Sequence, residues 1–206
     1  MVGHVLRFRD NNREARRLIA DGAIGEPRSV IRRRMGYLEE NMFPAWHADP
    51  KHMGNFAIYG FGTHEVDTIL WTLDTTTRRV FSAGRVTNAD WGNEDEVLTI
   101  LELTNGAIAS YSQSLNARQG AWDCIYIGTE GSLSVGGTQL DLSGKTIDIE
   151  PDAGRGMAAQ VHEFARACIE KREPLCSARD CMRTQYTLDA MWQSVRSGQP
   201  VDVHGS

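Results

Sequence analysis

Val66, Ile69, Leu70 and Leu73 stand at i, i+3, i+4 and i+7, which predicts a helix with one apolar face. Thr63 precedes them as a cap, and His64, Asp67 and Trp71 occupy the other side. Asp10 predicts a cap for a helix over roughly residues 11–21, with Ala15, Leu18 and Ile19 on one face and Gly22 as its stop. Two helices close the chain. Met157, Val161, Phe164, Ala165, Cys168 and Ile169 line one face of the first. The second opens with Ser177-x-x-Asp180, close to a capping box, buries Cys181, Leu188, Met191, Trp192 and Val195, and ends at Gly198.

Period-two stretches predict strands over residues 2–8, 28–36, 79–87, 95–103, 106–115, 122–128 and 131–135, with two more around 138–150. Asn105-Gly106 and Ser143-Gly144 are hairpin signals. Residues 37–62 hold Pro44, Pro50 and three glycines and read mainly as loop, with room for a short helix. These elements predict an α+β fold over residues 1–206, an open, mostly antiparallel sheet with helices on one face. Val97, Thr99, Leu101 and Leu103 share one strand face, and Leu98, Ile100 and Glu102 the other. Helices of one chain cover only one of these faces. The apolar residues on the second predict a homodimer or higher oligomer built through the sheet.

Composition narrows the functional classes. The chain has 206 residues, a formal net charge of −5, and 41% apolar residues. That is ordinary for a soluble globular protein. No apolar run approaches a membrane span, and the first residues lack a signal-peptide pattern, so the expected location is cytoplasmic. Nine arginines lie within residues 1–34, but Phe8 is the sole aromatic among them, which argues against a nucleic-acid surface. Cys124, Cys168, Cys176 and Cys181 form no C-x-x-C pair and read as reduced, buried thiols.

His64 is the strongest single site candidate, with Asp67 one turn on as a group to orient its imidazole or simply to cap or pack. His47, Asp49, His52 and His64 are the one cluster with metal chemistry in reach, a divalent ion being the alternative to no cofactor at all. Trp46, Trp91 and Trp122 offer stacking faces for a sugar ring, or core packing. His162 is expected on a solvent face.

Several motifs in fixed order carry a resemblance. They are Val2-Gly3-His4-Val5-Leu6-Arg7-Phe8, Leu18-Ile19-x-x-Gly22-x-Ile24-Gly25-Glu26-Pro27, and Trp46-His47-x-Asp49-Pro50. Gly62-x-His64-x-x-Asp67, Gly128-Thr129-Glu130-Gly131-Ser132 and the closing Pro200-Val201 complete the set. Together they resemble the C-terminal domain of the glucose–fructose oxidoreductase / inositol dehydrogenase / rhizopine-catabolism (Gfo/Idh/MocA) family. The resemblance implies a two-domain enzyme. An N-terminal Rossmann domain binds NAD or NADP, and the C-terminal sheet domain supplies part of a sugar pocket and the oligomer interface. By the same resemblance, residues 1–9 are the remnant of the nucleotide domain's last strand. His64 and Asp67 are implied as catalytic positions, and Arg7, Trp46, His47 and Asp49 as substrate-binding ones.

The chain departs from that pattern. The family's catalytic Glu-Lys-Pro segment has no counterpart, and Gly60 stands where its D-x-x-x-H motif has Asp. Fewer residues precede Gly54 than a dinucleotide-binding unit requires, and Gly60-Phe61-Gly62 lacks the third glycine of a phosphate loop. The expectation is a substrate-binding and oligomerisation domain that binds no nicotinamide cofactor itself, pairs with itself or with a separate nucleotide-binding chain, and takes a sugar-like small molecule. The alternatives are a redox-independent hydrolase or lyase acting near His64, and a non-catalytic binding or scaffold protein.

Overall fold

The computed structural model describes residues 1–39, 42–137, 139–149 and 156–204. Its strands are β1 (Pro27–Tyr37), β2 (Thr77–Arg85), β3 (Glu96–Leu103), β4 (Ile108–Ser114), β5 (Asn116–Gly128), β6 (Ser132–Gly136), β7 (Gln139–Leu142), β8 (Lys145–Ile147) and β9 (Val201–Asp202). They form one open sheet in the order β8-β7-β6-β5-β1-β4-β3-β2-β9. Only β1 and β4 run parallel, and every other pairing is antiparallel. Thr138 and Glu150, within the predicted strand region, lie outside the described residues.

Alternation decides the faces. Val97, Thr99, Leu101 and Leu103 of β3 are buried, while Leu98 is 60% and Ile100 47% exposed. The buried face continues through Val80, Ala109, Tyr111, Val30, Tyr126, Leu133 and Leu140. The open face continues through Phe81, Ile31 and Ile108. At the β3–β4 turn Gly106 adopts φ +88°, the left-handed conformation that Asn-Gly turns supply. β5 begins well before residue 122. Its polar first half carries no alternating apolar signal, and pairing with β1, from Met35↔Ala121 to Tyr37↔Asn116, draws it into the sheet.

The helices are α1 (Asp10–Ala20), α2 (Pro50–Met53), α3 (Thr63–Thr72), α4 (Met157–Glu170) and α5 (Ala178–Ser197). Val66, Ile69 and Leu70 of α3, Leu188 and Met191 of α5, and Ala15 and Ile19 of α1 enter the same core as the sheet's covered face. Ser177 caps α5 by accepting from the Asp180 amide, and Gly198 at φ +67° ends it.

Four expectations need correction. Residues 2–8 are not a strand: Val5–Phe8 is a 3-10 turn that buries Leu6, Arg7 and Phe8 and pairs with no strand among the described residues. Arg9 occupies the cap position of α1, with Asp10 as its first residue. Thr63 does not cap α3. Phe56–Gly62 is a π-helical turn that runs straight into the helix, and Asn55 caps that turn by accepting from the Ile58 amide. Gly60 is required there, since a Cβ would stand 2.4 Å from the Phe56 ring. The predicted apolar face of α4 is not buried: Met157, Val161, Phe164 and Ile169 are 52–80% exposed, and Cys168 is exposed with them. No helix among the described residues is long and apolar enough to cross a membrane.

Candidate functional site

His64 sits in the first turn of α3, where the π-helical turn hands over to the α-helix. Its two helical neighbours are buried acids, and each is held by arginine. Glu65 accepts from Arg32 Nε at 2.5 Å, from Trp122 Nε1 at 3.3 Å, and lies 3.7 Å from Arg34 Nε. Asp67 accepts both a 2.8 Å bond from Arg7 Nε and a 2.6 Å bond from Arg7 Nη2, and Thr184 Oγ1 donates to it at 3.0 Å. Arg7 also pairs with Asp180 and donates to the Leu175 carbonyl. Burial opposes the Arg7 charge, but its bonds to Asp67 and Asp180 outweigh it and hold the guanidinium charged.

The imidazole of His64 is left between these anchored pairs. Its Nδ1 is buried without a hydrogen-bond partner among the described residues. The His4 ring meets it edge-on at 6.4 Å, and His4 Nε2 lies 3.5 Å from Asp67 Oδ1. Burial, helped by the charges of Arg34 and Arg9, lowers the His64 pKa against the opposing pull of Glu65 and Asp67. The ring is therefore neutral at pH 7, one nitrogen able to accept and the other to donate. Trp122 forms a wall near this site. Arg9 stacks over it at 4.5 Å and Arg34 at 4.9 Å, and Arg34 also lies 4.8 Å over Phe61. An aromatic and guanidinium wall beside a neutral imidazole matches the needs of a polyhydroxylated ligand, which offers both apolar C–H faces and hydroxyls.

The sequence-derived residues divide into two groups. Arg7, His64 and Asp67 come together, but Asp67 is committed to Arg7 and Thr184 rather than to His64. Trp46, His47 and Asp49 lie on a separate segment around a 3-10 turn, Ala45–His47, and α2. There Trp46, 49% exposed, stacks on His47 at 3.7 Å. His47 meets Phe56 at 5.1 Å and Phe56 meets Phe61 at 4.9 Å, which links this segment to the turn that leads into His64. Trp91 is core, stacked on Phe56. His162 is exposed.

The quartet proposed for a metal does not gather. Asp49 caps α2 and pairs with His52 at 2.6 Å, while His64 faces His4 instead. Among the described residues, the ligand atoms that lie within 4.8 Å of one another belong to His4, Asp67 and Cys181. Arg7 already supplies the cation there, through both of its bonds to Asp67. His4, Glu65, Arg32 and Arg34 were not read as site residues. Only His4 carried a signal, from its place beside Arg7 in the Val2–Phe8 motif. Of the β1 arginines, Arg32 turns inward to Glu65 and Arg33 outward to Asp123, a division that the strand register sets.

A nicotinamide dinucleotide does not fit these residues. In doubly wound α/β folds, pyrophosphate binding uses a glycine-rich turn between a strand and a helix in a parallel βαβ unit. The one parallel pair among the described residues, β1 and β4, is separated in the chain by α2, α3, β2 and β3. Gly60 and Gly62 serve close packing against Phe56, Ala57 and Leu188, not an open anion cradle.

Comparison with known proteins agrees on the fold. The chain is 26% identical over 172 residues to 2,7-anhydro-N-acetylneuraminate hydratase of Escherichia coli (strain K12), covering 76% of this chain and 46% of that protein. Its structure matches levoglucosan dehydrogenase in complex with NADH and L-sorbose with a TM-score of 0.90 at 20% identity, over 100% of this chain and 66% of that one. It matches the aldose-aldose oxidoreductase of Caulobacter crescentus, complexed with glycerol, with a TM-score of 0.86 at 19% identity, over 98% of this chain and 63% of that one. The chain thus spans about half to two thirds of the length of these relatives. The family described as GFO/IDH/MocA C-terminal domain matches residues 12–134. That match covers more than half of the 206 residues, and the chain belongs to the GFO/IDH/MocA family, whose C-terminal domain it carries.

Proposed function

We propose that this chain is the substrate-binding and assembly half of a GFO/IDH/MocA-type oxidoreductase, seating a sugar-like polyol against His64 and the Trp122–Arg34 wall. The observation that carries the reading is the neutral, buried His64 with an unbonded Nδ1 between two arginine-anchored acids. A neutral imidazole bonded to a hydroxyl can take its proton as hydride leaves the carbon, which is the role of a base in alcohol oxidation. Arg7 and Arg32 fix the acids on either side, so a proton accepted by His64 stays on the ring instead of passing to a carboxylate. The hydride acceptor comes from a nucleotide-binding domain on the same or another chain, and the 206 residues alone are not a dehydrogenase.

Two surfaces support this division of labour. The apolar stripe of α4 stands open beside the first residues of the chain, where the side chain of Gln160 approaches Gly3. It suits the packing of a second domain. The open sheet face, with Leu98, Ile100, Phe81, Ile31 and Ile108, suits pairing of two copies about a two-fold axis.

The hydratase relative favours a second reading, in which His64 moves a proton in a redox-independent addition or elimination. Nuclear magnetic resonance separates these readings from a scaffold role. A panel of aldoses, anhydrosugars and inositols should perturb the His64 ring protons, and His64→Asn should abolish that binding. An unperturbed His64 across the panel would contradict both catalytic readings.

A further inference from the structure

A second group of reactive side chains lies behind His64, where the 3-10 turn Val5–Phe8 meets the start of α5. Cys176 immediately precedes the cap Ser177, and Cys181 follows the cap by four residues. These are the N′ and N4 positions, whose side chains meet across the first helical turn as a hydrophobic staple. Here both members of the staple are thiols. Phe8 packs with both, and Val2 and Ala159 close the margin. Cys176 is fully buried and Cys181 is 7% exposed.

The two thiols lie in one buried cluster with Phe8. Arg7 Nη2 lies 3.9 Å from Cys181 Sγ, and a ring nitrogen of His4 lies within 4.8 Å of the same sulfur. The thiolate is the reactive form of cysteine, and a neighbouring donor or cation favours it. The neighbouring Cys181 thiol and the Arg7 charge lower the Cys176 pKa against burial, while the neighbouring Cys176 and burial raise that of Cys181 against the pull of His4 and Arg7. One sulfur is thus prepared as the attacking group and its neighbour as the resolving one.

We propose that Cys176 and Cys181 form a redox dithiol that closes to an intramolecular disulfide when a small peroxide reaches it. The Cys176 thiolate attacks one peroxide oxygen, the O–O bond breaks, and hydroxide leaves while Cys176 becomes a sulfenic acid. The Cys181 sulfur then attacks the sulfenic sulfur. An S–S bond forms, the S–O bond breaks, and the departing hydroxide takes the Cys181 proton as water. The hydroxide from the first step recovers the proton that Cys176 lost on forming its thiolate. The two sulfurs lose two electrons, and one peroxide becomes two waters.

The site also has a route to His64. Cys181 Sγ lies within 4.8 Å of a His4 ring nitrogen, and His4 meets the His64 ring edge-on. Closing the disulfide removes the thiol that His4 faces, so His64 should sense the redox state. This second link rests on His64 being the functional imidazole.

The other cysteines serve as internal controls. Cys168 is exposed on α4, and Cys124 is buried in the sheet away from the pair. The reduced 206-residue chain would be treated with a few equivalents of hydrogen peroxide, its free thiols counted, and its peptides mapped under non-reducing conditions. The expected result is the loss of two of the four thiols and one linked peptide pair joining Cys176 to Cys181, reversed by dithiothreitol. Cys176→Ser should abolish the linked pair, and Cys168→Ser should leave it unchanged. Oxidation confined to Cys168, with Cys176 and Cys181 still free, would overturn the proposal without need of any variant. So would retention of one zinc ion per chain with both thiols protected, since His4, Asp67 and Cys181 would then be ligands. A disulfide that forms while the His64 titration, followed by its ring protons, stays in place would overturn the link to the site and leave the dithiol standing.

Discussion

Helices α4 and α5 carry the same kind of pattern and have opposite fates. In α5, Cys181, Leu188 and Met191 face inward and are buried. In α4, Met157, Val161 and Phe164 recur at equally regular helical spacing, and solvent covers them. Periodicity states that a helix has an apolar stripe, and it does not state what covers the stripe. For α5 the cover is the sheet. For α4 the described residues supply no cover, which is why the stripe is assigned to the proposed second domain.

The sharpest contrast comes from breaking the anchors under α3 and α5. Asp67→Ala leaves Arg7 buried with its main partner gone, and removing one partner of a buried pair costs about 3–5 kcal/mol. Urea denaturation should show that loss in full, and a cost below about 1 kcal/mol would mean the pair is solvated. Leu188→Ala, in the wholly buried stripe of α5, should cost about 2–5 kcal/mol by the same measurement.

The α4 counterpart should behave differently. Phe164→Ser is expected to change stability by no more than about 0.5 kcal/mol, since an exposed side chain has little burial to lose. It should instead lower the binding of a hydrophobic dye. Destabilisation comparable to Leu188→Ala would show that α4 is already covered within this chain.

How much of this was legible follows the same division. The faces of β3, the Asn105-Gly106 turn and the cap at Ser177 are local patterns, and the structure keeps them. The 3-10 turn at Val5–Phe8 reads as a strand because Val5, Leu6 and Phe8 are apolar, and only the missing neighbour strand rules it out. At the site, His64 and Asp67 share a helix and were visible as a pair. Their separate roles were not, because Arg7 claims Asp67 from 60 residues away. Glu65 and Arg32 were hidden for the same reason, with 33 residues between them. The staple thiols were visible as two cysteines without the contact that joins them.

The smallest expected effect is the pH dependence of His64. Its pKa in the folded chain lies below the unfolded value of about 6.5, so the unfolded chain binds the extra proton between those two values. Its contribution to stability is therefore present above about pH 6.5 and lost as pH falls through the folded value. Urea midpoints from pH 8 down to pH 5 should decline less for His64→Asn than for the parent chain. Parallel curves would place the imidazole in water.

Assembly and cofactor use bear on the same division. Light scattering at low micromolar concentration should give at least twice the 22.9 kDa chain mass, as sheet pairing requires, and a monomer without concentration dependence would contradict it. The most direct measurement is calorimetric titration of the purified 206-residue chain with NAD⁺, NADH, NADP⁺ and NADPH. A chain that supplies only the substrate side should give no saturable heat with any of them. Saturable binding in the micromolar range would mean that these residues hold the dinucleotide themselves, and the division of labour proposed here would fail.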